Sequence, residues 1–343
     1  MTSRASWASD PQPRYPLAQV DFLRLLDPHA WLGLAVLFSA GFAVYITAIT
    51  IFTFRRLRHP PRRTYGYAVS RSLPGDPSEI TPNPPAFETW AVNTQDTQIE
   101  IWDIKGDNKT GPTIIATHGW GSCRIDMLSR FAALRTHAAR VLLYDMRGHG
   151  DTKGNCTLGV KEPADLNAII KTVRHDANTD ASNETIILYG YSLGAEVTIA
   201  AVASANQQDN PAPINGIILE APYRRGITPA KAVLQASEFP WRINLLLASI
   251  AGSLLDRRPP NERWRDLTEP ATLVNPDETP LLVIHGIEDS ISPIEDGRRF
   301  AQCAQGTIKE VPQAGHKDLY QLDQPVRPEI ANALETYFNN LRS

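Results

Sequence analysis

Ile186-Ile187-Leu188-Tyr189-Gly190-Tyr191-Ser192-Leu193-Gly194-Ala195-Glu196 begins as an apolar run of strand-forming residues and turns at Gly190 toward a helix-like segment, Ala195–Ser204. Gly190-Tyr191-Ser192-Leu193-Gly194 has the spacing G-x-S-x-G, a tight strand-to-helix turn that holds a serine in a strained backbone conformation. Side chains at the two glycine positions would collide across such a turn. The turn pushes the hydroxyl clear of the sheet and aims the following amides at whatever the serine attacks. Five residues alone fit a glycine-rich turn as well as a nucleophile. Their place between strand and helix, and the rest of the chain, decide the matter.

Outward from this stretch, strands and helices alternate. Phe87–Val92, Gln98–Ile104, Thr113–Thr117, Arg140–Tyr144, Ile214–Glu220, Leu281–His285 and Thr307–Val311 have strand character. Helices are expected over Cys123–Ala138, Lys161–Val173, Ile294–Cys303 and Pro328–Leu341. Such alternation predicts an α/β fold, a mostly parallel sheet with helices on both faces. Between Pro222 and Pro280 it lapses into helix-like segments (Ala230–Ser237, Ile243–Leu255), a small helical cap spanning about 223–279. Trp241, Leu245, Leu246 and Leu247 form the expected packing face of that cap.

In an open parallel sheet, ligands bind at the carboxyl ends of the strands, so the loops there should hold the chemistry. These loops are His118-Gly119-Trp120-Gly121-Ser122, Asp145-Met146-Arg147-Gly148-His149-Gly150, Gly286-Ile287-Glu288-Asp289-Ser290 and Pro312-Gln313-Ala314-Gly315-His316. A serine hydroxyl is a poor nucleophile until an imidazole takes its proton, and the imidazole needs a carboxylate to fix its tautomer and hold its charge. The chain offers Ser192, then Asp289, then His316, each after a later strand. Taken singly, His316 is a loop histidine and Asp289 a turn former; their joint order points to a triad. Glu288 and Asp296 are rival acids. Glycines near Trp120 permit close backbone approach, so an amide there can meet an oxyanion opposite the elbow.

These five motifs resemble the α/β-hydrolase superfamily, and the branch they are most similar to is that of the membrane-anchored Bem46-like and serine-aminopeptidase-like hydrolases. Thr157-Leu158-Gly159 with Glu162 and Asp165 is similar to a segment of that branch, whereas Ala221-Pro222-Tyr223 departs from its common Asp-Ser pair. The resemblance covers about Phe87 to Leu341. It implies an α/β-hydrolase fold and a serine esterase or related acyl hydrolase, with Ser192, Asp289 and His316 catalytic. The backbone amides of Trp120 and Leu193 would form the oxyanion hole.

Ala30 to Phe54 contains no charged residue. As a helix it spans roughly 37 Å, enough to cross a hydrocarbon core of about 30 Å. Arg55-Arg56-Leu57-Arg58 follows it where a signal peptide would have a small-residue cleavage site. The expected organisation is an N-terminal segment (1–29), a transmembrane helix (30–54), a basic and Pro-rich extended linker (55–86) and a hydrolase domain (87–343). Net charge is −3 with 8% aromatic residues, which gives no footprint for a nucleic-acid partner. Three scattered cysteines, Cys123, Cys156 and Cys303, form neither a disulfide framework nor a zinc pattern.

No cofactor is expected: the glycine spacing of Gly148–Gly154 is wrong for a dinucleotide loop. His118, His149, His285 and His316 are accompanied by no H-E-x-x-H pattern, so no metal is expected either. The expected partners are a small-molecule ester or acyl substrate and the lipid bilayer. An aminopeptidase stays open through the acidic cap residues Glu238, Asp256 and Glu262, and a non-catalytic membrane-tethered scaffold is the remaining alternative.

Positive charge near a span is retained in the cytoplasm. Arg14 and Arg24 lie before the apolar stretch, and Arg55, Arg56, Arg58, Arg62, Arg63 and Arg71 after it. The imbalance predicts a cytoplasmic hydrolase domain. Alkaline phosphatase fused after Ser343 in a bacterial host should be inactive and green fluorescent protein at the same site bright; the reverse pair would place the domain outside.

Overall fold

The computed structural model describes residues 28–175, 185–205, 214–236, 238, 240–255, 266–272, 274–275, 277–322 and 324–341. Two units are distinguished, Met1–Ile49 and Thr50–Ser343. Helix α1 (Pro28–Arg58) carries Arg55, Arg56 and Arg58 in its last turn. Its most apolar stretch has a mean hydropathy of 2.1, and none of that stretch is buried. It is therefore not a core helix of the fold, and its length and composition suit a membrane crossing.

Within the second unit, α2 (Tyr65–Val69) and a 3-10 turn (Pro77–Glu79) precede an eight-stranded sheet. The strands are β1 (Phe87–Asn93), β2 (Gln98–Lys105), β3 (Thr113–Thr117), β4 (Arg140–Tyr144), β5 (Ile186–Tyr191), β6 (Gly216–Glu220), β7 (Leu281–Gly286) and β8 (Thr307–Val311). Their order is β1-β2-β4-β3-β5-β6-β7-β8. β1 pairs antiparallel with β2 and β2 with β4, and every later pairing is parallel. The expected α/β-hydrolase architecture is thus the observed one.

Alternating side chains divide the core into two layers. Ile115, Leu142, Leu188, Leu219 and Val283 meet α4 (Glu162–Arg174), α5 (Leu193–Ala205) and, through Phe300, a later helix, Ile294–Cys303. Ile114, Val141, Ile187, Ile218 and Ile284 meet α3 (Leu128–Leu134) and the last helix, Pro328–Asn340. The central strands β3 to β7 are buried throughout, as parallel strands covered on both faces must be. Between β6 and β7 come α6 (Ile227–Ala236), α7 (Arg242–Leu255) and the short α8 (Thr268–Ala271). Ile294–Cys303 is then α9 and Pro328–Asn340 is α10.

Three expectations are corrected. The helix expected over Cys123–Ala138 forms only over Leu128–Leu134. The Asp126 carboxylate accepts from the Cys123 amide (3.2 Å) and the Ser122 hydroxyl (2.8 Å), and the Arg124 amide donates to Asp145 (2.7 Å). Those bonds hold the segment in turns, because side-chain acceptors there compete with helix bonding. The segment expected to be an extended linker also contains α2, whose Ala68 is fully buried, and its Arg62 and Arg63 bind the domain. Arg63 bridges Asp126 at 2.7 Å and Arg62 donates to the Gly150 carbonyl at 3.3 Å. In the cap, Leu245 is buried as expected of its packing face, but Leu246 is exposed.

Beneath the sheet's carboxyl end, Arg130 of α3 holds Glu220 of β6 in a fork (3.0 and 2.5 Å), and the Tyr189 hydroxyl donates to the same carboxylate. Both charged side chains are buried. Removing one partner of such a pair strands the other's charge. Glu220→Gln should lower unfolding stability by about 3–5 kcal/mol in denaturant titration of the full chain in detergent, and the double variant Arg130→Met, Glu220→Met should recover much of that loss.

Candidate active site

β5 ends in a turn that only small residues can close. A Cβ on Gly190 would lie 2.4 Å from the Gly194 carbonyl oxygen, and one on Gly194 would lie 2.1 Å from the Thr117 carbonyl oxygen at the end of β3. Between them Ser192 sits at φ 53°, the left-handed region that a residue bearing a Cβ enters at a cost of order 1–2 kcal/mol. The Ser192 amide donates to the Glu220 carbonyl (2.9 Å), and its own carbonyl accepts from Ala195 (2.9 Å), so the strained residue is pinned from both sides. The hydroxyl consequently stands at the mouth of the sheet.

His316 follows β8 and Asp289 follows β7. The Nδ1–H of His316 donates to Asp289 Oδ2 at 2.7 Å, which leaves Nε2 to accept from the Ser192 hydroxyl at 2.9 Å. The Tyr191 hydroxyl donates to the His316 carbonyl at 3.0 Å, and its ring lies 5.4 Å from the imidazole. Asp289 Oδ1 accepts from the amides of Ile291 (2.8 Å) and Ser292 (2.7 Å). Burial opposes charge on this carboxyl, yet hydrogen bonds from His285 and His316, the charge of His316 and the Ser292 amide hold it well below the usual carboxylate range. The rival acids stand elsewhere: Glu288 is exposed, and Asp296 accepts the Arg224 amide (2.9 Å) at the entry to the cap.

The loop after β3 lies against Ser192. A Cβ on Gly119 would come within 3.0 Å of the Tyr191 ring and 3.2 Å of the Ser192 Cβ, so only a glycine lets this loop pack so closely on the elbow. Leu193 opens α5, so its amide has no acceptor inside that helix. His118 braces this loop to the next: its Nδ1–H donates to the Gly119 carbonyl (2.8 Å) and its Nε2 accepts from the Met146 amide (2.9 Å). Arg147 forks onto Asp165 of α4 (2.6 Å twice), and Asp145 takes the amides of Arg124 and Asp151. His118, His149 and His285 are all buried and bonded to loop backbone.

A cavity of about 400 Å³ opens over Ser192 and His316. Its walls include Leu158 and Tyr223, Pro229, Ala230 and Val233 at α6, and Leu245 of α7. Glu196 is a carboxylate in this lining, and the Tyr223 hydroxyl donates to it. Leu57, Pro61 and Arg63 line the cavity too, a contribution that sequence reasoning missed. No periodicity marks them; only the chain's return to the domain does. Trp120 shows how close that return is, its indole N–H donating to the Leu57 carbonyl at 2.9 Å. Of the acidic cap residues, Glu238 is exposed and outside the lining, while Asp256 and Glu262 lie outside the described residues.

Residues 114–328 match the alpha/beta hydrolase family. The uncharacterized membrane protein YNL320W of Saccharomyces cerevisiae is 25% identical over 239 residues, 68% of this chain and 74% of its own. The uncharacterized protein YqkD of Bacillus subtilis is 28% identical over 211 residues, 60% of this chain and 65% of its own. Among solved structures, the Pyrococcus furiosus esterase Pf2001 has a TM-score of 0.61 at 19% identity, covering 84% of this chain and 98% of its own. Esterase RhEst1 of Rhodococcus sp. ECU1013 has a TM-score of 0.52 at 17% identity, covering 74% and 99%. Identities this low carry the fold and no more.

Asp289→Asn should depress ester turnover on the order of 10³–10⁴-fold, because an amide stabilises the wrong imidazole tautomer, while Glu288→Gln should change it little. A reversed pair of effects would reassign the acid. The depressed folded pKa also sets a sign for stability. The Asp289 carboxylate stabilises the fold fully above about pH 5, and this contribution is lost as pH falls through the ordinary carboxylate range toward the lower folded value. The stability gap between wild type and Asp289→Asn should therefore narrow on acidification, as read by denaturant titration across pH.

Proposed function

We propose that this chain, which belongs to the alpha/beta hydrolase family, is a membrane-anchored serine hydrolase that cleaves a carboxylic ester or thioester through an acyl-enzyme. What supports the reading is one line of hydrogen bonds, Asp289 to His316 to Ser192, ending under a largely apolar cavity. The esterases among the solved structures of similar fold agree with it.

Ser192 Oγ attacks the substrate carbonyl carbon as His316 Nε2 takes the hydroxyl proton. The Trp120 and Leu193 amides receive the oxyanion, and Asp289 stabilises the imidazolium. Collapse of the tetrahedral adduct breaks the bond to the leaving alkoxide or thiolate, which takes the proton from His316. Water, deprotonated in turn by Nε2, attacks the acyl-enzyme; collapse of this second adduct breaks the bond to Ser192 Oγ, which takes the proton back from His316 as the carboxylic acid leaves. No step requires a cofactor. In this reading residues 30–54 are the anchor, 55–86 join it to the domain 87–343, the cap spans about 223–279, and the domain is cytoplasmic.

With a panel of p-nitrophenyl esters, Ser192→Ala and His316→Ala should each lose turnover by roughly 10⁴-fold or more, and the double variant should be scarcely worse, because the triad acts as a unit. A fluorophosphonate probe should label Ser192 alone. Full ester turnover in a folded Ser192→Ala variant would end the proposal.

A further inference from the structure

We propose that the outward apolar face of α7 rests in the membrane interface beside the point where α1 leaves the bilayer, and that the cavity over Ser192 takes a long acyl chain from that bilayer. The substrate is then a membrane-resident ester. This rests on the serine-hydrolase reading and on α1 being a span.

The two faces of α7 differ. Asn244, Leu245, Ala248 and Ser249 are buried against the domain. Ile243, Leu246, Ile250 and Leu254 are exposed by 57%, 53%, 38% and 74% among the described residues. Spacings of three, four and four residues put these four on one side of the helix. A continuous apolar stripe turned outward marks a contact surface, and what it contacts follows from where it stands.

Its place is fixed by the end of α1. The Asn244 side-chain Nδ2–H donates to the Thr53 hydroxyl at 2.7 Å, a buried bond. Thr53 belongs to the uncharged Ala30–Phe54 stretch itself, so α7 is fastened to the last turns of the apolar helix. One turn further on, Leu57 packs with Leu245 and Leu234 in a small core of their own. Arg55, Arg56 and Arg58 occupy the same level of α1, and Arg242 opens α7. An apolar face bordered by arginines at the boundary of a span is the composition of an interfacial helix.

The same residues connect membrane and chemistry. Leu57 from the end of α1 and Leu245 from α7 both line the cavity that holds Ser192 and His316. An acyl chain leaving the bilayer beside Leu57 would find Leu57, Leu158, Val160 and Leu245 lining the cavity that holds the nucleophile, so much of its apolar surface would leave water.

The test uses the full chain in phosphatidylcholine vesicles. With Cys303→Ser as background, since Cys123 and Cys156 are buried, an environment-sensitive fluorophore is placed at Leu246→Cys or, as control, at exposed Glu335→Cys of α10. Spin-labelled lipid should quench the probe at 246 and spare that at 335. In parallel, Leu246→Glu with Ile250→Glu should leave p-nitrophenyl butyrate turnover within about twofold but lower turnover of bilayer-dissolved p-nitrophenyl palmitate about tenfold or more. An unquenched probe at 246, or palmitate turnover unchanged by the two glutamates, overturns the proposal and would assign the stripe to a protein partner. Butyrate turnover that survives Ser192→Ala would instead remove the nucleophile reading, and a chain that fails to float with the vesicles would remove the span.

Discussion

Ser192 can hold its left-handed backbone only because three strand ends crowd around it with no side chain in the way. Gly190 packs on the start of α5, and Gly194 packs on the carbonyl oxygen of Thr117 at the end of β3. Substituting either glycine would force β5 and α5 apart or separate α5 from β3. The register of the central strands, the direction of α5 and the opening of Ser192 onto the cavity are therefore one constraint expressed three times. The strain at a single residue, of order 1–2 kcal/mol, is small beside the core burial that enforces it.

Around that point the site is assembled from loops whose ends are set by the sheet. β7 and β8 are parallel neighbours, so Asp289 and His316 emerge from the same edge, and a bond of 2.7 Å joins them. The carboxylate of Asp289 is shared among two backbone amides and the imidazole, with His285 at 3.4 Å beside it. This arrangement leaves it little freedom to rotate away. Further out, Arg130, paired with Glu220, lies over the Tyr191 ring at the end of β5, and Arg147, paired with Asp165 of α4, holds the loop after β4. Buried pairs of this kind contribute little net stability against apolar substitutes, and what they supply here is fixed loop position.

The residues that follow the apolar part of α1 help to build the cavity. Residues from Leu57 to Arg63 return to the hydrolase surface, contribute wall to the cavity and accept the indole proton of Trp120, the residue whose amide is assigned to the oxyanion. Arg56 also lies over the Trp120 ring, 5.9 Å from its centroid. The end of α1 and the loop after β3 are thus joined by a hydrogen bond and a ring contact, and a truncation beginning after Arg63 would remove part of the cavity wall.

Local chemistry made much of this protein legible from its sequence. Buried parallel strands must be continuously apolar, an elbow must have glycines around its serine, and a helix long enough to span a bilayer must lack charge; each requirement leaves its mark on adjacent residues. The order of Ser192, Asp289 and His316 was visible for the same reason, since each follows a recognisable strand. The shortening of the helix expected over Cys123–Ala138 was not, because Asp126 and Asp145 compete for its amides from positions that propensity does not weigh. Nor was the docking of Leu57 and Arg63, whose partners lie far away in the chain. Which face of α7 turns outward was equally hidden: Leu245 and Leu246 are chemically identical neighbours, and only the packing of Leu57 and Leu234 against one of them decides which is core.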